Sequence, residues 1–258
     1  MSKDKLREAL ANTELMFLCA GMGGGTGTGA SPVVAEIARE QGAIVVGIVT
    51  YPFALERART HKADWGLEQL KKVADTVIVI DNNKLVSYVP NLPMNQAFTI
   101  ADEITAKAVK GIADTIMFPS LVNIDFADIR SIMGNAGVAM ISVGEGKGTD
   151  RVNQVVSTTL QHPLLDVDYK GAKGALIHIA GGPNLTLGEA TQIGEKLTDA
   201  FDDNANVIWG SRLSPEFTDK VVVTAIMTGI TSPYVLGKGQ AEAKAEKSVL
   251  ELDMVQYL

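Results

Sequence analysis

The 258-residue sequence is short of several things, and each shortage closes off a class of protein. Cys19 is the single cysteine, so no disulfide framework within the chain can hold the fold, and a reducing cytoplasm is the natural setting. It lies in the apolar run LMFLCA and is expected to be a buried small hydrophobe. Aromatics make up only 5% of residues, so Val, Ile, Leu, Ala and Met must fill the core. Basic residues are outnumbered, 23 against 30 acidic, for a net charge of −7. That balance speaks against a general nucleic-acid binder, which would carry a basic face. No apolar run approaches the ~20 residues of a membrane-spanning helix. The opening MSKDKLREALANTE is charged and helix-like, unlike a signal peptide. A soluble intracellular protein without membrane insertion is expected.

What is present is a regular alternation. ELMFLCA (14–20), AIVVGIVT (43–50) and TVIVID (76–81) read as buried strands. Between them, SPVVAEIAREQG and LERARTHKADWGLEQLKKVA (55–74) read as helices, with Pro32 in a first turn and Gly42 as a stop. Strands apolar on both faces and separated by helices predict a parallel sheet covered on both sides. Ligands in such sheets bind at the carboxyl ends of the strands. The run CAGMGGGTGTGASP (19–32), then TYPFALE and DNNK, fall at that end as three polar loops.

MNQAFTIADEITAKAVKGIADTIM (94–117) has no proline and carries Ala97, Ile100, Ala101, Ile104, Ala108 and Ile112 near helical spacing. As one helix it would run ~36 Å. Beyond FPS, strands at 137–144, 174–182, 206–213 and 220–230 alternate with helices at 149–161 and 186–201. The last strands follow one another directly, which predicts a mixed sheet. The fold expected is α/β: a parallel-sheet domain over 1–118 including the long helix, then an α+β domain with a mixed sheet over 119–236. Residues 237–258 read as a tail with a short apolar end suited to docking, or as a terminal helix.

The glycine run carries the chemistry. A strand ending in consecutive glycines that opens a helix presents backbone N–H groups to an anion, with no Cβ in the way. Thr26 and Thr28 add hydroxyls, and the helix end adds its dipole. A P-loop would need a GK[ST] ending, which is absent. A dinucleotide fingerprint fits only loosely, as Gly25, Gly27 and Ala30, with no acid ending the next strand.

GGGTGTG (23–29) between strand and helix resembles the signature of the tubulin/FtsZ superfamily of GTPases. NIDFADI (123–129) is similar to the catalytic loop of its prokaryotic branch, and TYPFALE and NNKL fit that branch in order and spacing. The likeness runs from about residue 5 to about residue 236. It implies GTP or GDP as ligand, with Mg2+ held through the phosphates. Gly23, Gly24, Gly25, Thr26, Gly27 and Thr28 would hold the phosphates, Glu56 the ribose hydroxyls, and Asn82 the ribose or base side. Phe98 would stack on guanine and Asp102 would hydrogen-bond its edge.

The resemblance also implies that Asp125 and Asp128, with Asn123 positioning the loop, act on the nucleotide of the next subunit. Hydrolysis would then depend on head-to-tail assembly into protofilaments for division, in the cytoplasm at the division site, alongside other cell-division proteins. Read without the resemblance, Asp125 caps a helix and Asp128 favours its positive end. Two departures stand out. Thr60 occupies the place, four residues after Glu56, where the family carries a basic residue; Arg57 and Arg59 are expected to point elsewhere. The sequence also starts at the family's pre-loop helix, so the first domain is expected to be an N-terminally truncated Rossmann-like sheet. A non-catalytic short form that binds or caps filaments of a full-length partner is the alternative.

Overall fold

The computed structural model describes residues 2–134, 137–161 and 169–230. A short helix α1 (Ser2–Ala9) precedes strand β1 (Leu15–Gly21), helix α2 (Thr26–Glu40) and strand β2 (Ile44–Tyr51). Helix α3 (Ala58–Val73), strand β3 (Thr76–Asp81), helix α4 (Asn82–Tyr88) and the long helix α5 (Met94–Met117) follow. Then come α6 (Phe126–Met133), β4 (Gly137–Lys147), α7 (Arg151–Leu160), β5 (Gly174–Gly181), α8 (Leu187–Thr198), β6 (Asn206–Leu213) and β7 (Lys220–Thr228).

The strands lie in the order β1-β2-β3-β4-β7-β5-β6. β1, β2 and β3 are parallel, in register Leu15 to Ile44 and Val46 to Thr76. β7 runs antiparallel to both β4 and β5, and β6 is parallel to β5, which makes the second group mixed. The two groups meet at β3 and β4, which pair through Thr76–Gly137 and Val77–Val138. The mixed group therefore adjoins the parallel one along a short seam.

β2, buried except at Thr50, and the fully buried β3 are almost uninterrupted Val and Ile and lie inside the sheet. Helices α2 and α3 cover one face through Ala35, Ala38, Leu67 and Leu70. α5 and α6 cover the other through Ala108, Ile112, Ile129 and Met133. Burying a side chain as fully as Ile112 stabilises the fold by about 1.5–3 kcal/mol. α7 and α8 pack on the mixed strands through Val155, Ala190, Ile193 and Leu197.

Several expectations need correction. β1 is half-buried rather than buried, and Cys19 is exposed, because β1 ends the sheet and no described strand covers its outer side. α2 begins at Thr26, so Pro32 lies inside it; the glycines wind directly into the first turn. The DNNK stretch is less a loop than a helix start, since Asp81 accepts the Asn83 N–H at 2.9 Å and α4 begins at Asn82. The 55–74 helix also divides, into a 3-10 turn at Ala54–Glu56 and α3. The proposed tail, 237–258, lies outside the described residues.

Candidate nucleotide-binding site

The glycine run owes its bareness to two different causes. Gly23 is buried at φ +96°, and a Cβ there would come within 2.9 Å of the Arg59 carbonyl oxygen. A Cβ on Gly27 would lie 2.2 Å from the Gly21 carbonyl oxygen, so Gly27 is what lets α2 sit against the end of β1. These two glycines serve the chain itself. Gly24 and Gly25 are exposed, and a Cβ on either would meet nothing within 4 Å. Their bare backbone faces outward, at the N-terminus of α2, where the first N–H groups of a helix have no partner within the helix. The two threonines also divide. Thr26 is exposed in the first turn, whereas Thr28 is buried and its hydroxyl accepts the Gly23 N–H at 2.9 Å. Thr28 thus fixes the loop's curvature from inside.

Beside the loop lies a cleft of about 440 Å³, bounded by Gly24, Gly25 and Thr28 and by His61, Lys62 and Trp65 of α3. Two nitrogen-bearing side chains and the positive end of α2 make this an anion-favouring wall. Sequence reasoning passed over His61, Lys62 and Trp65; their spacing on one face of α3 was the available signal.

A second cleft of about 550 Å³ opens between the loop after β2, α4 and the start of α5. Phe53, Glu56, Arg59, Leu85, Met94 and Phe98 contribute to its walls. Phe98, 40% exposed, meets Phe53 edge-on at 6.1 Å between ring centres. Glu56 accepts the Phe53 N–H at 3.1 Å and pairs with Arg59 at 2.8 Å. Arg59 is therefore shared: its backbone presses on Gly23 while its guanidinium joins Glu56 in the second cleft. The Arg59 guanidinium is thus turned to Glu56 and does not line the cleft beside the glycine loop, and the Thr60 hydroxyl donates to the Arg57 carbonyl at 2.6 Å.

The loop carrying Glu56 is held from two sides. Asn83 accepts the Ala54 N–H at 2.8 Å and donates to Asp81 at 2.7 Å, tying the ends of β2 and β3 together. Tyr51, buried at the end of β2, donates to Asp64 of α3 at 2.6 Å. Burial and that carboxylate push its phenol well above the ordinary range. Asn82 is the half-buried first residue of α4, and Asp102 is exposed one turn beyond Phe98 on α5. The fold thus gathers the glycine loop, Glu56, Asn82 and Phe98 near the carboxyl ends of the parallel strands.

Asn123, Asp125 and Asp128 stand elsewhere, past the C-terminus of α5, whose 24 residues measure ~36 Å. Asp125 accepts the Asp128 N–H at 2.9 Å, and Asp128 accepts the Asp125 N–H at 3.0 Å, a reciprocal cap on α6. Asn123 accepts the Ser120 N–H at 2.9 Å. The preceding loop is clamped to the mixed strands: Val122 pairs with Ser211, and the Arg212 guanidinium lies 4.7 Å over the Phe118 ring. His178 sits buried below, 3.5 Å from the Ser120 hydroxyl. Burial and the nearby Arg212 charge bring its pKa down to about 4.

Comparison with known proteins follows this division. Residues 1–90 match the GTPase domain of the Tubulin/FtsZ family, and residues 137–231 match the C-terminal domain of the FtsZ family. "Cell division protein FtsZ 1" of Thermococcus kodakarensis is 47% identical over 257 residues, spanning 98% of this chain and 69% of that protein. The chain belongs to the FtsZ family. "Cell division protein FtsZ 2" of Methanocaldococcus jannaschii is 61% identical over 241 residues, 92% of this chain. The chain spans 63% of that FtsZ and 65% of its Halobacterium salinarum counterpart, somewhat under two thirds of each. Among solved structures, an empty FtsZ dimer of M. jannaschii superposes with TM-score 0.81 at 44% identity, covering 88% of this chain and 67% of the other. A TubZ protofilament from Bacillus thuringiensis shares the fold alone, at TM-score 0.70 and 17% identity over 98% of this chain and 72% of the other.

Proposed function

We propose that this chain binds guanine nucleotide and hydrolyses GTP to GDP and phosphate, assembling head-to-tail into filaments that serve prokaryotic cell division. The observation that carries the reading is the separation of the two chemistry-bearing motifs by the length of α5. Bare, outward-facing glycines stand at one end and exposed carboxylates at the other. Within one chain these groups do not meet. Stacked copies would bring Asp125 and Asp128 of one subunit over the glycine loop of the next, a heterologous contact that generates open filaments. The carboxylates would act there by orienting and polarising water more than by removing its proton outright.

Gly24, Gly25 and Thr26 would take the phosphates, with Gly23, Gly27 and Thr28 shaping the loop behind them. Glu56 and Asn82 would face the ribose side, Phe98 would stack on guanine, and Asp102 would accept from its edge. Mg2+ would be held through the phosphates. Residues 1–118 would form the nucleotide unit and 119–236 the activating one. The cytoplasm at the division site is the proposed place of action, with further division proteins as partners. No helix among the described residues is long and apolar enough to cross a membrane. Names and family matches of the relatives support this reading, and none of them favours the non-catalytic alternative.

The test is equilibrium binding of labelled GTP, competed with ATP, followed by turnover at rising protein concentration. Saturable GTP-selective binding with turnover that rises faster than protein concentration is expected. Absence of binding would overturn the reading for this chain.

A further inference from the structure

The segment that leads from α5 into the Asn123–Asp128 loop is gripped by three consecutive residues of β6. Gly210 takes Ile124: a Cβ there would lie 2.7 Å from that buried side chain and 2.8 Å from the Val122 carbonyl oxygen. Ser211 pairs through its backbone, accepting the Leu121 and Val122 N–H groups at 2.8 and 3.2 Å and donating to the Val122 carbonyl at 3.1 Å. Arg212 lays its guanidinium 4.7 Å over the Phe118 ring, with the Phe217 ring at 5.9 Å. The chain is thus held on both sides of Asn123, and the reciprocal cap of Asp125 and Asp128 follows directly.

Of these contacts, only the third depends on a charged side chain. Phe118 is the C-cap of α5, and the last turn of that helix carries no basic residue of its own. The C-terminal end of a helix is negative and favours a cation, and Arg212 brings one from another element. Its Nε is buried and meets no acceptor among the described residues. Stacking on the rings, rather than a hydrogen bond at Nε, therefore fixes the guanidinium. Phe118 is 46% exposed, so burial alone does not hold its ring. We propose that Arg212 is a positioning residue for the activating loop. By stacking on Phe118 it fixes the direction in which the chain leaves α5, and so where Asp125 and Asp128 stand over the next subunit's nucleotide. The inference rests on the reading that those carboxylates act across a subunit contact. Misplacing a catalytic group by ~1 Å costs on the order of 100-fold in rate, so Arg212 can control turnover without touching nucleotide.

The test measures GTP turnover per assembled subunit, GTP affinity and sedimentable polymer on the full chain. Arg212→Met keeps a long side chain and removes the cation. It should lower turnover about tenfold or more while affinity and polymer stay within about twofold. Phe118→Leu, at a largely exposed position, should do the same and keeps the test open if Arg212→Met folds poorly. Phe118→Tyr, which keeps the ring, should turn GTP over at the parent rate. Residues that act through one contact are coupled in a double-mutant cycle. Arg212→Met combined with Phe118→Leu should therefore match the worse single variant rather than multiply the two losses. Unchanged turnover in both single variants, losses that multiply, or affinity and polymer that fall along with turnover would each overturn the proposal. A parent chain that binds GTP and assembles without hydrolysing it would instead overturn the underlying reading, and this inference with it.

Discussion

At the scale of single residues, the same side chain can cap a helix or do chemistry, and substitution can separate the two. Asn caps a helix as well as Asp does. Asp125→Asn should therefore leave thermal stability nearly unchanged while removing the charge at the loop. GTP turnover should be lost with nucleotide binding intact. Asp125→Ala should cost about 1 kcal/mol besides, visible in a denaturant melt. The glycines divide in the same manner. Gly24→Ala should fold normally and weaken GTP binding, because its methyl meets only what occupies the site. Gly27→Ala should destabilise by about 1–3 kcal/mol as its methyl is driven into the Gly21 carbonyl. GGGTGTG was legible from the sequence as a glycine turn between a strand and a helix; which of its glycines face outward was not, because that depends on Arg59 and Gly21 arriving from other elements.

Between elements, a part-buried ion pair helps join α7 to α8. Arg151, at the start of α7, holds Glu189 at 2.7 and 2.8 Å and also takes the Asn184 side chain at 3.0 Å. Glu189 in turn closes the cap on α8 with Thr186. The Arg151 guanidinium brings the Glu189 pKa down to about 2, against an ordinary 4.5. A depressed carboxylate stabilises the fold above its unfolded pKa, and that contribution disappears as pH falls from about 4.5 toward 2. Arg151→Ala should cost about 1.5–3 kcal/mol, since it removes charge-assisted hydrogen bonds from a carboxylate that water can still reach. It should also flatten the stability profile across that pH window. The helices themselves were readable from their periodicity. The cross-link was not, because Arg151 and Glu189 are far apart in sequence and neither segment announces the other.

For the whole molecule, His178 adds a second acid limit at milder pH. It is buried and neutral in the fold with a pKa near 4, against 6.5 when exposed. Between those values the unfolded chain binds more protons, so stability should fall by about 1.4 kcal/mol for each pH unit lost. His178→Gln should remove most of that slope between pH 6.5 and 4 in chemical denaturation. The two ends of the sheet are the other global feature. β1 and β6 both leave apolar side chains partly uncovered, and exposed Cys19 on β1 is the accessible thiol of the chain. A thiol reagent should label it in the folded protein, slowly at neutral pH because partial desolvation by its neighbours pushes its pKa up.

The sequence by itself determined the alternation of strands and helices, the parallel and mixed halves of the sheet, the long α5, and the motifs that place the chain in the FtsZ family. These are set by local hydrophobic period and by uninterrupted motifs, which need no distant neighbour to be read. Only the tertiary structure decided that Thr28 faces inward, that Arg59 backs Gly23 while its guanidinium meets Glu56, that Asn83 ties β2 to β3, and that Cys19 lies exposed on an outermost described strand. Each of those outcomes depends on which element stands across from a residue, and local pattern carries no record of that. The separation of the glycine loop from Asp125 and Asp128 belongs to both levels. Its length is written in the helical period of α5, while its meaning for assembly comes from the two ends the helix holds apart.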